Sequence, residues 1–487
     1  MAQTGIINLS EALSALPPVL ASHQQLRTQT RSTIQSSSSP SPLLVILDDD
    51  PTGTQTCHDI TILTVWDVRT IVSAFNQVGT GNGFFILTNS RALHPPQARE
   101  LMIEICTNLK TASQETNIPY EIVLRGDSIL RGHFPLEPEA VEHVNGAFDA
   151  WILCPFFLQG GRYTINDIHY VHEGENLIPA ADTPFAKDAT FGYKSSNLRD
   201  YVVEKSKGNI THGHIDSIDL ETIRVGGPDA VLKKIMQLPK RDKTPVVLVI
   251  NAAADEDIDV VVTALLQASQ QGKKFLYRTG AAFVSARLGI SSIPPLSAGQ
   301  LGLSKSVGGL IIAGSYVPKT TSQLDSLVQK SGDKLTTITL NVKALLKSDE
   351  AATEDIAKAI KLASQKIKNG QDVLVMTSRE LIVGKDEVES LDIGSTVALA
   401  LVSFLQGLPQ KPRYIIAKGG ITSSDMATKG LRMKRALIVG QAAPGVPLWR
   451  CDEPESKWPG LNYVVFPGNV GHNDSLYEVV RQWREFE

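Results

Sequence analysis

The chain has 487 residues and a mass of 52.8 kDa, with 42% hydrophobic and 20% charged residues and a formal net charge of −4 from 47 basic and 51 acidic side chains. That length exceeds what one hydrophobic core fills, so two domains are expected, and the near-neutral balance offers no electrostatic footprint for nucleic acid or an anionic membrane. Cys57, Cys106, Cys154 and Cys451 lie far apart without CxxC spacing, which predicts reduced thiols in a cytoplasmic protein rather than a disulfide or zinc framework.

No uninterrupted apolar stretch reaches the roughly 18 residues that a membrane span needs, and no secretory leader is evident. The first 35 residues contain one acid, Glu11, and carry Arg27 and Arg31, which leaves an organelle-targeting reading open. Ser36–Pro42 reads SSSSPSP, so residues 1–42 are expected to be a flexible lead-in with the folded body starting near Leu43. From there LLVIL (43–47), FFIL (84–87), EIVL (121–124), WILC (151–154) and VVLVI (246–250) alternate with helical stretches. Such alternation predicts a mostly parallel sheet covered on both faces, in a substrate domain at 43–295. The stretch 288–305, with Pro294 and Pro295, is the candidate linker. GGLIIAG (308–314), VLVM (373–376), RYIIAKGG (413–420) and NYVVFPGN (462–469) then predict a second α/β domain at 306–487, with the active site in a cleft between the two. There is no internal repeat of fixed period, which excludes a solenoid.

Three motifs follow strands in the first half. VILDDDPTGTQTCHD (45–59) ends an apolar strand in three aspartates, at the carboxyl end where open α/β sheets bind ligands. A turn or cap needs only one Asp, and three adjacent carboxylates repel one another. LRGDSILRGHFPLE (124–137) gathers Arg125, Asp127, Ser128, Arg131, His133 and Glu137 in one loop. Its guanidiniums can grip a carboxylate or phosphate while Asp127 orients or deprotonates a hydroxyl; the alternative is an internal ion-pair network. PFFLQGGRYTINDIHYV (155–171) places Arg162 after Gly160 and Gly161, and the tract 182–198, with Lys187 and Asp188, has the polar character of a lid or a plain surface loop. The histidines lack partners at metal spacing, so no protein metal site is expected.

In the second half, AKGGITSSDMA (417–427), FPGNVGH (466–472) and IAGSYVPKTTSQL (312–324) each put glycines between a strand and a following element, with Thr422 or Ser423 expected to cap a helix. Backbone N–H groups at such turns are anion sites, and three together predict a phosphate-rich ligand. Neither a Walker GxxxxGK[ST] sequence nor a protein-kinase loop set is present.

Together these motifs resemble the four-carbon acid sugar kinases from about Leu43 to Tyr477. DDxTG matches Asp49–Gly53, DSTxRG matches Asp127–Gly132, the GR turn matches Gly161 and Arg162, GGxTS matches Gly419–Ser423, PGVP matches Pro444–Pro447, and GNxG matches Gly468–Gly471. The resemblance implies that the first domain binds an acid sugar and the second binds ATP, with phosphate passing to the terminal hydroxyl of threonate, erythronate or a 3-oxo-tetronate. It implies Asp49, Asp50 and Asp127 as catalytic candidates. Substrate-binding candidates are Arg91, Arg125, Ser128, Arg131, His133, Arg162 and Lys187; ATP-binding candidates are Ser315, Ser378, Gly419, Gly420, Ile421, Thr422, Gly468 and Asn469. Thr56 stands where relatives carry Asp, and Ile129 where they carry Thr, which leaves the particular acid open. Phosphoryl transfer also calls for magnesium, with Asp50 a ligand through water.

Two alternatives stand beside this reading. Asp48, Asp50 and Thr52 spell the DxDxT of haloacid-dehalogenase phosphatases, with LTN at 87–89 like their second motif, although Arg131 stands where a second acid is expected. The other alternative is a catalytically silent sensor that binds acid sugar and nucleotide. Oligomeric state has no sequence signature here.

Overall fold

The computed structural model describes residues 5–20, 23–36, 40–314, 317–378 and 387–485. The chain divides into two compact units, one of Met1–Cys57 with Val65–Ser292 and one of His58–Thr64 with Ile293–Glu487. In chain order the strands are β1 (Ile7–Asn8), β2 (Leu43–Asp48), β3 (Ile60–Leu63), β4 (Gly83–Leu87), β5 (Tyr120–Arg125), β6 (Ala150–Cys154), β7 (Arg162–Ile165), β8 (Ile168–Glu173) and β9 (Asn176–Pro179). They continue with β10 (Ile215–Ile218), β11 (Val247–Ile250), β12 (Phe275–Thr279), β13 (Leu310–Ala313), β14 (Leu335–Leu340) and β15 (Asp372–Thr377). The last are β16 (Tyr414–Lys418), β17 (Arg435–Ala443), β18 (Val446–Cys451) and β19 (Asn462–Phe466).

In the first unit a parallel sheet runs β10-β11-β6-β12-β5-β2-β4. Strands β2, β4, β6, β11 and β12 are buried at every position, as continuous Val, Ile, Leu and Phe runs require when helices cover both faces of a sheet. Strand β2 lies between β4 and β5, so the order reverses around it and its carboxyl end is a topological switch point. A small antiparallel sheet, β1-β9-β8-β7, is added beside it.

The second unit orders its strands β3-β17-β18-β19-β16-β13-β15-β14. Pairings from β19 to β14 are parallel, whereas those joining β3, β17, β18 and β19 are antiparallel. Strand β13 lies between β15 and β16, which makes its carboxyl end the switch point here. The core on one face gathers Leu324, Leu327, Tyr414, Phe466, Val480 and Trp483.

Two expectations are corrected. Residues 1–42 are not simply a flexible lead-in, because His23–Ile34 is a helix packed on Asp255–Gln270. Leu26, Thr30 and Ile34 are buried one turn apart, and the buried Arg27 donates from Nε to Asp259 Oδ1 at 2.7 Å and from Nη1 to Ile290 O at 2.9 Å. The segment His58–Thr64 falls inside the span expected for the substrate domain, yet it belongs to the second unit through antiparallel pairing of Ile60–Leu63 with Ile438–Arg435. No helix among the described residues is long and apolar enough to cross a membrane, and the four cysteines are free and buried.

Candidate functional site

The three aspartates leave the end of β2 in three different environments. Asp48, the last strand residue, is fully buried and accepts from Arg125 Nε at 2.6 Å. Burial outweighs the guanidinium and, with Asp49 and Asp50 nearby, pushes its carboxyl up to about 7. Asp49 is also buried and takes two bonds from Arg91, Nη2 to Oδ1 at 2.5 Å and Nε to Oδ2 at 3.2 Å. Asp50 turns outward and accepts from the Thr52 backbone N–H at 2.9 Å and the Thr52 hydroxyl at 2.5 Å, capping the short turn Pro51–Thr54. Burial works to raise the Asp50 carboxyl, but Arg91, Arg125 and the Thr52 bonds hold it below its usual range. Gly53 is required because a Cβ there would lie 1.9 Å from Arg125 Nε.

The neighbouring strand ends add the arginines. Arg91 comes from the turn Ser90–Ala92 after β4. Asp127 and Arg131 follow β5 and pair with each other, Nε to Oδ2 at 2.6 Å. Burial opposes ionisation of Asp127, yet Arg131, Arg91 and Arg162 hold its carboxyl far below the usual range. Arg162 opens β7 behind Gly161, whose φ of +72° is a left-handed conformation suited to glycine. Burial lowers its affinity for a proton, Asp127 partly restores it, and its Nε has no hydrogen-bond partner.

The structure reassigns part of the expected set. Arg125 bonds Asp48 and the carbonyls of Asp50 and Gly126, so it braces the aspartate turn rather than gripping a ligand. His133 is buried with Nε2 against the Ser90 and Leu93 carbonyls at 3.0 and 3.1 Å and an edge-on contact with Phe191, and is likewise internal. The Ser128 carbonyl meets His169 Nε2 at 2.7 Å, and burial lowers His169 to about 4. Lys187 is exposed on the turn Pro184–Lys187 with no bond to the cluster. The tract 182–198, expected as a lid or a plain surface loop, is an anchored segment, since Phe191 and Tyr193 are buried and the Tyr193 hydroxyl donates to Ile129 O at 3.0 Å.

In the second unit the turns after β13, β16 and β19 stand around its switch point. Gly419 has φ +106°, a conformation closed to other residues without strain, and starts the helix Gly420–Asp425. A Cβ on Gly314 would come 3.1 Å from Thr422 Oγ1 and 2.9 Å from Leu401 Cδ1, so the lack of a side chain at Gly314 lets it pack closely on Thr422. Thr422 and Ser423 do not cap this helix; Gly419 occupies the cap position and Ser423 Oγ donates to Ala417 O at 2.8 Å. Gly420 and Thr422 are partly exposed, Ile421 and Asn469 exposed, and Gly468 follows β19. Ser378 Oγ accepts from Val342 N at 3.2 Å, beside the adjacent strand β15. Ser315 lies outside the described residues.

Arg278 and Lys418 were missed by sequence reasoning. Arg278 is the penultimate residue of β12 and Lys418 the last of β16, each buried in an otherwise apolar strand. A cation at the carboxyl end of such a strand is the signal that marks both. Lys418 donates to Pro467 O and sits 4.4 Å from the Phe466 ring centroid. Burial, with Lys319 nearby, brings it down to about 7. Lys319 in turn donates to Gly471 O at 3.1 Å. Among the described residues no group of three or more His, Cys, Asp or Glu forms a metal site.

Residues 44–287 match the family described as a sugar-binding N-terminal domain, and residues 310–476 that described as a nucleotide-binding C-terminal domain. No curated protein matches the chain. Two solved structures share the fold at low identity. A Salmonella typhimurium LT2 protein provisionally titled a tRNA synthase is 15% identical, with a TM-score of 0.65 over 91% of this chain and 100% of its own. A Haemophilus influenzae protein of the DUF1537 family is 16% identical, with a TM-score of 0.60 over 90% of this chain and 100% of its own. By its two matched domains, the chain belongs to the four-carbon acid sugar kinase family, in which a sugar-binding domain precedes a nucleotide-binding one.

Proposed function

We propose that the protein is an ATP-dependent kinase that phosphorylates the terminal hydroxyl of a four-carbon sugar acid of the threonate, erythronate or 3-oxo-tetronate type. The observation that carries this reading is the cluster at the carboxyl ends of β2, β4, β5 and β12, where four aspartates and several guanidiniums meet within the sugar-binding unit. Such a site suits a polyhydroxylated anion, because guanidiniums hold its acid end while carboxylates orient its hydroxyls.

Phosphoryl transfer asks for positioning and charge stabilisation more than covalent chemistry. Asp127, held ionised by its arginines, is a poor proton acceptor and a good hydrogen-bond acceptor, so it aligns a hydroxyl rather than removing its proton. Asp50, which Arg91, Arg125 and Thr52 also hold below its usual range, shares that limitation, so Asp49 is the remaining candidate for the base. The glycine turns fit nucleotide phosphates, since their N–H groups carry no Cβ between them and a ligand, and Lys319, bonded to Gly471 O, adds positive charge beside them. Magnesium bound with the nucleotide would neutralise its phosphates, and Asp50 would hold it through water. Asp48, which a haloacid-dehalogenase phosphatase needs as its nucleophile, is fully buried against Arg125, an arrangement that disfavours that alternative.

Release of ADP from ATP across a panel of four-carbon acids tests the reading. One acid should support turnover, and Asn in place of the aspartate that takes the proton should lower kcat by about 10²-fold to 10⁴-fold. Phosphate release from phosphorylated acids without nucleotide would point to the phosphatase, and binding of both ligands without turnover to the silent sensor.

A further inference from the structure

Arg278 differs from the other arginines around the aspartates. Arg91 bonds Asp49, Arg125 bonds Asp48 and Arg131 bonds Asp127, all at or below 2.6 Å. Arg278 has no carboxylate at hydrogen-bond distance: Asp49 Oδ2 is 3.8 Å away, and its hydrogen bond is a long one, 3.5 Å from Nη2 to Arg131 O. It is nevertheless 7% exposed, and a buried guanidinium so weakly satisfied is costly.

The chain also makes room for it. A Cβ on Gly126 would fall 1.3 Å from Arg278 Nη1 and one on Gly132 2.5 Å from Nη2, so both glycines admit the guanidinium plane. Beside it is a small pocket lined by Arg278, Thr279, Asp127, Leu130, Phe134 and Tyr201. Thr279 is 3% exposed and its hydroxyl has no hydrogen-bond partner. A guanidinium without a close carboxylate, an unpartnered buried hydroxyl and an aromatic wall around a small pocket match a single oxyanion group.

We propose that this pocket receives the carboxylate end of the acceptor, with Arg278 as its principal ligand and Thr279 as an additional donor, so that Arg278 selects acids over neutral polyols. This rests on the reading of the first unit as the acceptor site and deepens it. The charges facing the pocket permit it. Asp127 is neutralised by Arg131, and Asp49 by Arg91. Glu137, which also faces Arg278, is bonded by Ser90 Oγ at 2.6 Å, and burial raises its carboxyl toward the neutral form. Arg162, with its unpartnered Nε and its attraction to Asp127, adds a second cation near the same loop.

Direct binding measurements on the full chain, independent of turnover, test the proposal with threonate and erythronate against the matching four-carbon polyols. Arg278→Gln should weaken binding of the preferred acid roughly ten-fold to hundred-fold, the usual worth of a hydrogen bond to a charged group, and abolish the preference for acid over polyol. Arg278→Lys should recover part of that preference. Thr279→Val keeps the shape, so its ligand-free Tm should equal or exceed that of the parent, since it removes an unpartnered buried hydroxyl, while acid binding weakens several-fold. If Arg278→Gln lowers Tm but leaves the acid preference intact, or Thr279→Val leaves acid affinity unchanged, Arg278 is a strut for the 126–132 loop and the proposal falls. Acid binding that depends on Arg278 without ADP release would retain the pocket and overturn the kinase reading alone.

Discussion

At the scale of residues, burial and the charges packed beside a group set its chemistry more than its identity does. Asp48 and Asp127 are two carboxylates at neighbouring strand ends, yet burial raises the first to about 7 while surrounding arginines depress the second. Lys418 is the corresponding case among cations, brought to about 7 from an ordinary 10.5. Its folded-state value lies below its unfolded one, so the cost of burying its charge is full below pH 7 and fades as pH rises toward 10.5. Between those limits the unfolded chain holds the extra proton and stability climbs with pH. Lys418→Met should therefore be more stable relative to the parent at pH 6 than at pH 9, measured by urea unfolding at both. An equal difference at the two pH values would mean that the ammonium stays charged when folded.

At the scale of elements, the candidate residues gather at strand ends because two strands, β2 and β13, each lie where the order of a parallel sheet reverses. The turn after β16 shows what such a position demands. Gly419 holds φ +106°, a conformation that costs other residues on the order of 1–3 kcal/mol. Gly419→Ala should reduce nucleotide affinity at least about ten-fold, in line with a cost above 1.4 kcal/mol, while acid-sugar binding to the first unit stays measurable. Calorimetric titration of each ligand separately reads this out, and parallel loss of both would mean misfolding rather than a damaged phosphate turn. The motifs DDDPTG and AKGG were legible as strand-end turns because a long apolar run halted at them. The helix His23–Ile34 was not, because its sequence HQQLRTQTRSTI is polar and its burial depends on Asp259, more than 200 residues away.

At the scale of the whole molecule, each ligand has its own unit, and the described residues include no protein metal cluster. Magnesium that arrives with the nucleotide should then be indispensable for turnover but dispensable for binding of the acid. Excess chelator should abolish ADP release and leave the affinity for the sugar acid within about two-fold, an insignificant change against the 1.4 kcal/mol of a ten-fold effect. Unaltered turnover in chelator would refute the phosphoryl-transfer reading. The two α/β units, the parallel character of their sheets and the turns that end their strands were legible in the chain alone, because these follow from local periodicity and from glycines and aspartates adjacent in the chain. Which charged groups are internal braces and which stay weakly satisfied depends on contacts between distant parts of the chain. Arg125 and His133 share a loop with Asp127 yet are consumed by Asp48 and by the Ser90 and Leu93 carbonyls, whereas Arg278 arrives from β12, more than 140 residues beyond that loop. Partnering of a buried charge is settled by neighbours across the sheet, and strand order, which local sequence does not encode, chooses those neighbours.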